Sequence, residues 1–179
     1  MGMKLYVVRH GQTNYNLRHL CNDDPRVDVH LTDLGEKQSQ EVAKQLKSVE
    51  FAKVLISELP RTRQTAEILT QGHDLPFIVD KRINDRKTGC EGKTVTEFEK
   101  ALGQDLFNIK LSGGESFQEE KQRVFAFLEE LKQSKENGSV LIVTHHEIVK
   151  IMVGYFNNLS DREMWDLMME NGRVVEIVI

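Results

Sequence analysis

The strongest constraint on this chain is an alternation. Short apolar runs, each about the length of a buried strand, are separated by longer stretches with helical spacing. The runs occupy residues 4–8, 53–57, 77–79, 139–144 and 173–179. The run at 139–144, Ser-Val-Leu-Ile-Val-Thr, is apolar on successive positions and so on both faces of a strand. Between the runs, residues 32–47, 61–71, 94–102, 116–135 and 147–156 carry apolar side chains every three or four positions. On the first of these helices Leu34, Val42, Ala43 and Leu46 share a face; on the longest, Phe117, Val124, Phe127, Leu128 and Leu131 point inward. Strands alternating with helices predict a mostly parallel sheet covered on both sides. The fold class expected is α/β, a three-layer α/β/α sandwich. With 179 residues, only three prolines and no linker-like tract, residues 1–179 are expected to form a single domain.

Composition excludes several functions. Lys and Arg number 24 against 28 Asp and Glu, a net charge of −4, which argues against a general nucleic-acid binder. No apolar run approaches the length of a membrane span, and the opening residues turn polar too soon for a secretory signal. Cys21 and Cys90 lie far apart and form no CxxC pattern, so neither a structural disulfide nor a zinc site is expected. A reducing cytoplasm is the expected location, with no membrane and no nucleic acid as partner.

In an open parallel sheet, ligands bind beyond the carboxyl ends of the strands. Here those ends deliver chemistry. Arg9-His10-Gly11 follows the first run, Arg61 the second, Asp85 the third, and His145-His146 the fourth. Arginine offers a planar fork of donors that suits a phosphoryl group. Gly11 allows a tight turn, and Asn16 adds amide donors close by. Taken singly, each residue has an ordinary structural reading: a salt-bridged arginine, a hydrogen-bonded histidine, a capping asparagine. Together they describe an anion site with a carboxyl group beside it.

Arg-His-Gly-x-Thr-x-x-Asn at residues 9–16 resembles the signature of the histidine phosphatase superfamily, the phosphoglycerate mutase-like proteins. The resemblance extends along the chain. Leu31-Thr32-Asp33-Leu34-Gly35 is similar to the family's LTxxG segment, and residues 57–66 to its SxLxRAxQTA segment. Gly89-Cys90-Glu91-Gly92, Gly113-Gly114-Glu115-Ser116 and Val143-Thr144-His145 resemble its GxxEG turn, its GGES helix start and its V[ST]H segment. The resemblance implies a phosphoglycerate mutase-like fold. It also implies a phosphohistidine on His10, with Arg9, Arg61 and His145 around the phosphoryl oxygens and Asn16 as a neutral donor. Arg63 is expected to face elsewhere.

The family's acid is usually a glutamate in an L-x-E-R stretch. Here that stretch reads Ile83-Asn84-Asp85-Arg86, which places Asp85 in the acid's position; Glu91 is the second candidate. Arg86 would oppose protonation of Asp85 if the two paired. His146-Glu147 stand where the family often has Gly, and would narrow the pocket or reach a substrate. Cys21 and Asn22 lie in the loop that offers donors to phosphate in many members, so both are candidate substrate contacts, as is His146. No metal is expected: the arginines would repel a cation. No cofactor is expected either.

Mutases of the family carry a long insertion before the GGES-like helix and a C-terminal tail. Here 20 residues separate Gly92 from Gly113, and the last run ends the chain, which favours an open pocket and hydrolysis. The expected activity is a phosphomonoesterase that takes a small phosphorylated metabolite and releases inorganic phosphate. Phosphoglycerate mutase-type transfer and a non-catalytic phosphate-binding module are the alternatives. Arg18, His19, Arg26, Arg82, Arg86, Lys87 and Lys93 are expected near the mouth as a basic rim. Met152, Phe156, Trp165, Met168 and Met169 suit either a core or a homodimer interface.

Overall fold

A computed structural model describes residues 2–73, 75–134 and 137–179. Five strands form one sheet: β1 (Met3–Arg9), β2 (Phe51–Ile56), β3 (Phe77–Val79), β4 (Gly138–Thr144) and β5 (Val174–Val178). Their order is β3-β2-β4-β1-β5, and only β5 runs antiparallel, against β1. The helices are α1 (Asp33–Leu46), α2 (Pro60–Leu69), α3 (Val95–Leu102), α4 (Phe117–Gln133), α5 (His146–Asn157) and α6 (Asp161–Asp166).

The pleat sorts the strand side chains into two cores. Leu5 and Val7 of β1 and Val140 and Ile142 of β4 join Phe117, Val124, Phe127 and Leu128 of α4 and Ile148, Ile151 and Met152 of α5. Tyr6 and Val8, with Leu141 and Val143, face Val42 and Leu46 of α1 and Ala66 and Leu69 of α2. Successive strand residues point to opposite faces, so each continuous apolar run serves both layers. The mixed α/β sandwich is the expected one.

Local chemistry fixes the helix starts. The Thr32 hydroxyl accepts from Gly35 N at α1, and capping boxes open α3, α4 and α6 at Thr94, Ser116 and Ser160. Some boundaries and faces differ from expectation. Leu34 is 50% exposed, because the buried stripe of α1 runs through Gly35, Ser39, Val42 and Leu46. The proposed end of α4 at Lys135 lies outside the described residues, and α4 is helical to Gln133. The segment after Asn158 forms α6, a helix too short for its period to show in the sequence. Met152 and Met169 are buried in the core, with Phe156 and Trp165 packed on it, whereas Met168 is 80% exposed.

Candidate active site

The carboxyl ends of β1 and β4 lie side by side, since Arg9 pairs with Thr144 in the parallel register. His10 N donates to Thr144 O at 3.0 Å. The two strands therefore deliver His10 and His145 next to each other, with ring centroids 5.3 Å apart at a steep angle. The turn after β1 needs glycine. A Cβ on Gly11 would overlap the carbonyl oxygen of Gly35 and lie 2.8 Å from its carbon. Gly11 N donates to Thr65 Oγ1 at 3.1 Å, so α1 and α2 both hold this turn.

His10 is buried, and its Nδ1 lies 2.7 Å from Gly11 O. A carbonyl can only accept, so Nδ1 carries the proton and Nε2 keeps its lone pair. Arg61 Nε donates to that Nε2 at 3.2 Å. Burial, then the charges of Arg61, His145 and Arg9, hold the His10 pKa well below its usual value. Arg61 stands in the first turn of α2, where Pro60 sets the helix start. It also donates from Nη2 to Asp85 Oδ2 at 2.9 Å and to Asn22 O at 3.2 Å. One guanidinium thus links a neutral imidazole to a carboxylate.

Asp85 sits on a strongly pinned segment. Thr144 Oγ1 donates to Ile83 O at 2.7 Å, Asn84 exchanges hydrogen bonds with Glu58, and Arg123 Nη2 donates to Asp85 O at 3.4 Å. Arg86 does not pair with Asp85. It turns away and pairs with Glu147 at 3.0 Å, which leaves Asp85 to Arg61. Glu91 is engaged within the loop: its carboxylate accepts from the Asp23 and Asp24 backbone and from Asn22 Nδ2.

A cavity of about 440 Å³ opens over these groups, lined by Arg9, His10, Asn16, Arg61 and Asp85 among others. Arg9 is partly desolvated, which lowers its pKa to about 10, and Nη1 donates to Met169 O. Cys21, Asn22 and His146 also line the cavity. Burial pushes the Cys21 thiol up to about 12, so it remains a thiol. Asn22 does not offer a free amide. Its Nδ2 is engaged by Asp24 O and Glu91, and its Oδ1 accepts from Arg61 Nη1, so it orients the arginine.

His145 is fully buried and lies behind the cavity wall. Its Nε2 is 2.8 Å from Ser57 Oγ and its Nδ1 is 3.6 Å from Asp85 Oδ2. Burial, then Arg61, Arg123 and Arg9, push its pKa well below the ordinary value. It therefore contacts both His10 and Asp85. The basic rim does not form. Of its expected members only Arg86 lines the cavity, and it is buried. Arg26 pairs with Asp24, and Arg82 pairs with Asp80 and Glu130. Arg63 faces away, over the Phe77 ring. Among the described residues, no group of three His, Cys, Asp or Glu is placed to hold a metal ion.

The sequence profile of the histidine phosphatase superfamily (branch 1) matches residues 5–179. The chain belongs to the histidine phosphatase superfamily. It is an enzyme of the histidine phosphatase type. The Escherichia coli protein named "Probable phosphoglycerate mutase GpmB" is 33% identical over 151 residues, covering 80% of this chain and 69% of that one. The alpha-ribazole phosphatase of Shigella flexneri superposes with a TM-score of 0.87 at 25% identity, covering 97% of this chain and 89% of that one. YhfR of Bacillus stearothermophilus superposes at 0.86 with 27% identity, covering 97% and 90%.

Within this histidine phosphatase, several supporting residues were not picked out from the sequence. Asn171 Nδ2 donates to His10 O at 3.0 Å and to Asn16 Oδ1 at 3.2 Å, and Gly172 N donates to Arg9 O at 3.1 Å. No local pattern marks Asn171. Ser57 was visible only as part of the segment that contains Arg61. Phe98 and Lys150 line the cavity from helices whose spacing reads as ordinary packing, and Trp165 lines it from the short α6.

Proposed function

We propose that this chain is a phosphomonoesterase that hydrolyses a small phosphorylated metabolite through a phosphohistidine on His10, using no metal, within one domain. The observation that carries the reading is the fixed tautomer of His10. Gly11 O accepts a hydrogen bond from Nδ1–H, and the Nε2 lone pair faces the guanidinium of Arg61. In the first step Nε2 attacks phosphorus and the bond from phosphorus to the ester oxygen breaks. Asp85, which takes up a proton once the phosphoryl anion replaces it on Arg61, gives that proton to the departing alcohol. In the second step Asp85 takes a proton from water, the water oxygen bonds to phosphorus, and the N–P bond breaks. His10 is regenerated and inorganic phosphate leaves. Arg9 and Arg61 take the charge on the equatorial oxygens, with Asn16 as a neutral donor. His145 supports this end from behind, through His10 and Asp85. Partial cover of the mouth supports transfer to water: Val95 and Met168, which line it, are exposed.

Phosphoglycerate mutase-type transfer is the second reading, favoured by the name of the Escherichia coli relative. The deciding experiment measures phosphate release from a panel of small monoesters in the presence of chelator, beside isomerisation of 3-phosphoglycerate. Phosphate release by the parent protein, with an acid-labile phosphoenzyme, and the absence of both in His10→Ala, is expected. A folded parent protein that isomerises 3-phosphoglycerate without net hydrolysis would establish the mutase. A parent protein that binds phosphate and forms no phosphoenzyme would leave a binding module.

A further inference from the structure

Beyond the phosphoryl end, the cavity changes character. Leu20, Val29, Val95, Phe98, Trp165 and Met168 line its outer part. Two cations, Arg86 and Lys150, also reach it, beside three carboxylates, Glu99, Glu147 and Asp166. Both cations are engaged by protein groups, although Arg86 Nη1 is buried without a hydrogen-bond partner. Arg86 is held by Glu147, with Nε–Oε2 and Nη2–Oε1 both 3.0 Å. Its guanidinium carbon lies 4.8 Å from the Phe98 ring centre and 5.4 Å from that of Trp165. Buried Glu120 approaches the same group at 3.9 Å. Lys150 Nζ donates to Trp165 O and lies 3.5 Å from His146 Nε2. His146 itself is uncharged near neutrality, since burial and Arg9 push it down to about 4.

We propose that this outer chamber selects phosphomonoesters whose alcohol is uncharged and carries a flat apolar group, and disfavours sugar-acid phosphates such as phosphoglycerates. The assignment rests on the phosphomonoesterase reading of the same site. An arene meets the apolar lining of Leu20, Val29, Val95 and Met168 and the parts of Phe98 and Trp165 that Arg86 leaves uncovered, where burial of apolar surface drives binding. A second carboxylate meets a local excess of negative charge, Glu99, Glu147 and Asp166 against Arg86 and Lys150. Glu147 is central to this: it occupies the first turn of α5 and pairs with Arg86 of the outer lining.

Binding is read separately from turnover. Dissociation constants are measured calorimetrically on the parent protein for two non-hydrolysable probes, 3-phenylpropylphosphonate and 4-phosphonobutyrate. The arylalkyl probe is expected to bind tighter by about tenfold, the ratio that about 1.4 kcal/mol produces. Equal or tighter binding of the carboxylate probe overturns the proposal. In turnover, 2-phenylethyl phosphate should exceed 3-phosphoglycerate in kcat/KM by a similar factor; both are alkyl esters, so the comparison reads the chamber more than the leaving group. Glu99→Lys places a cation at the exposed mouth and should narrow both ratios several-fold; unchanged ratios would count against the charge argument. Tight arylalkyl binding without hydrolysis or phosphoenzyme would instead sink the hydrolase reading and leave the selectivity standing.

Discussion

At the scale of single residues, Asp85 carries the sharpest prediction. It shares Arg61 with His10, and its proton matters only when the leaving alcohol needs one. Asp85→Asn should lower kcat on an alkyl phosphate by roughly 10²–10³-fold, and on p-nitrophenyl phosphate far less, because nitrophenolate leaves without protonation. Equal losses on both esters would show that Asp85 is not the acid. His10 gives the pH counterpart. Its pKa lies well below 6.5, so the nucleophile stays unprotonated as pH falls through 6.5. The kcat/KM profile of the parent protein should therefore show no acidic limb near 6.5 beyond the ionisation of the substrate itself; such a limb would mean that His10 titrates there. Residue identities at this scale were legible: Arg9, His10, Arg61 and Asp85 come together as expected. Their partners were not. Arg86 is next to Asp85 in sequence yet pairs with Glu147, and Asn22 orients Arg61 instead of offering its amide to phosphate. Adjacency along the chain does not fix which way a side chain points once distant helices close over it.

At the scale of elements, the contact between the turn after β1 and the start of α1 decides whether the site forms. A Cβ on Gly35 would overlap Gln12 O and lie 2.8 Å from Gln12 N. Backbone atoms cannot yield as a side-chain tip can, so Gly35→Ala should destabilise the fold by about 1–3 kcal/mol and lower kcat through displacement of His10. Thermal melts and kinetics of the variant check both effects; a silent Gly35→Ala would mean the two segments are not packed this closely. The capping box of α4 makes a milder case. Ser116 Oγ accepts from Glu119 N at 3.2 Å, and Ser116→Ala should cost about 1 kcal/mol without altering substrate preference. Urea unfolding reads it. Most strands and helices were legible because their apolar period was long enough to see. The six residues of α6 and the exposed Leu34 were not, since one turn and a half, or one residue at a helix end, carries too little pattern.

At the scale of the whole molecule, the site is a buried electropositive pit in a chain whose net charge is −4. His10, His145 and His146 all have lowered pKa values, His146 to about 4, so the folded protein refuses protons that the unfolded chain accepts below about 6.5. Their contribution to stability is complete above 6.5 and shrinks as pH falls towards 4. Buried Glu120 acts oppositely, since its raised pKa keeps a proton that the unfolded chain loses, and the raised Asp23 acts the same way, two carboxyls against three histidines. The melting temperature should therefore drop by about 5 °C or more between pH 7 and pH 5 in phosphate-free buffer. A flat profile would mean that these histidines are protonated in the folded state. What the amino-acid order determined alone is the alternation of strands and helices, and with it the parallel sheet whose strand ends carry Arg9, His10, Arg61 and His145. Those follow from local periodicity and from the rule that such sheets bind ligands at one edge. Only the tertiary structure decided that His145 lies behind His10, that of the expected basic rim only Arg86 lines the cavity, and that the chamber beyond the phosphoryl end is aromatic with its cations paired. Each of these depends on side chains from segments up to 160 residues apart meeting in one place, as Arg9 meets Met169, and no local pattern encodes that meeting.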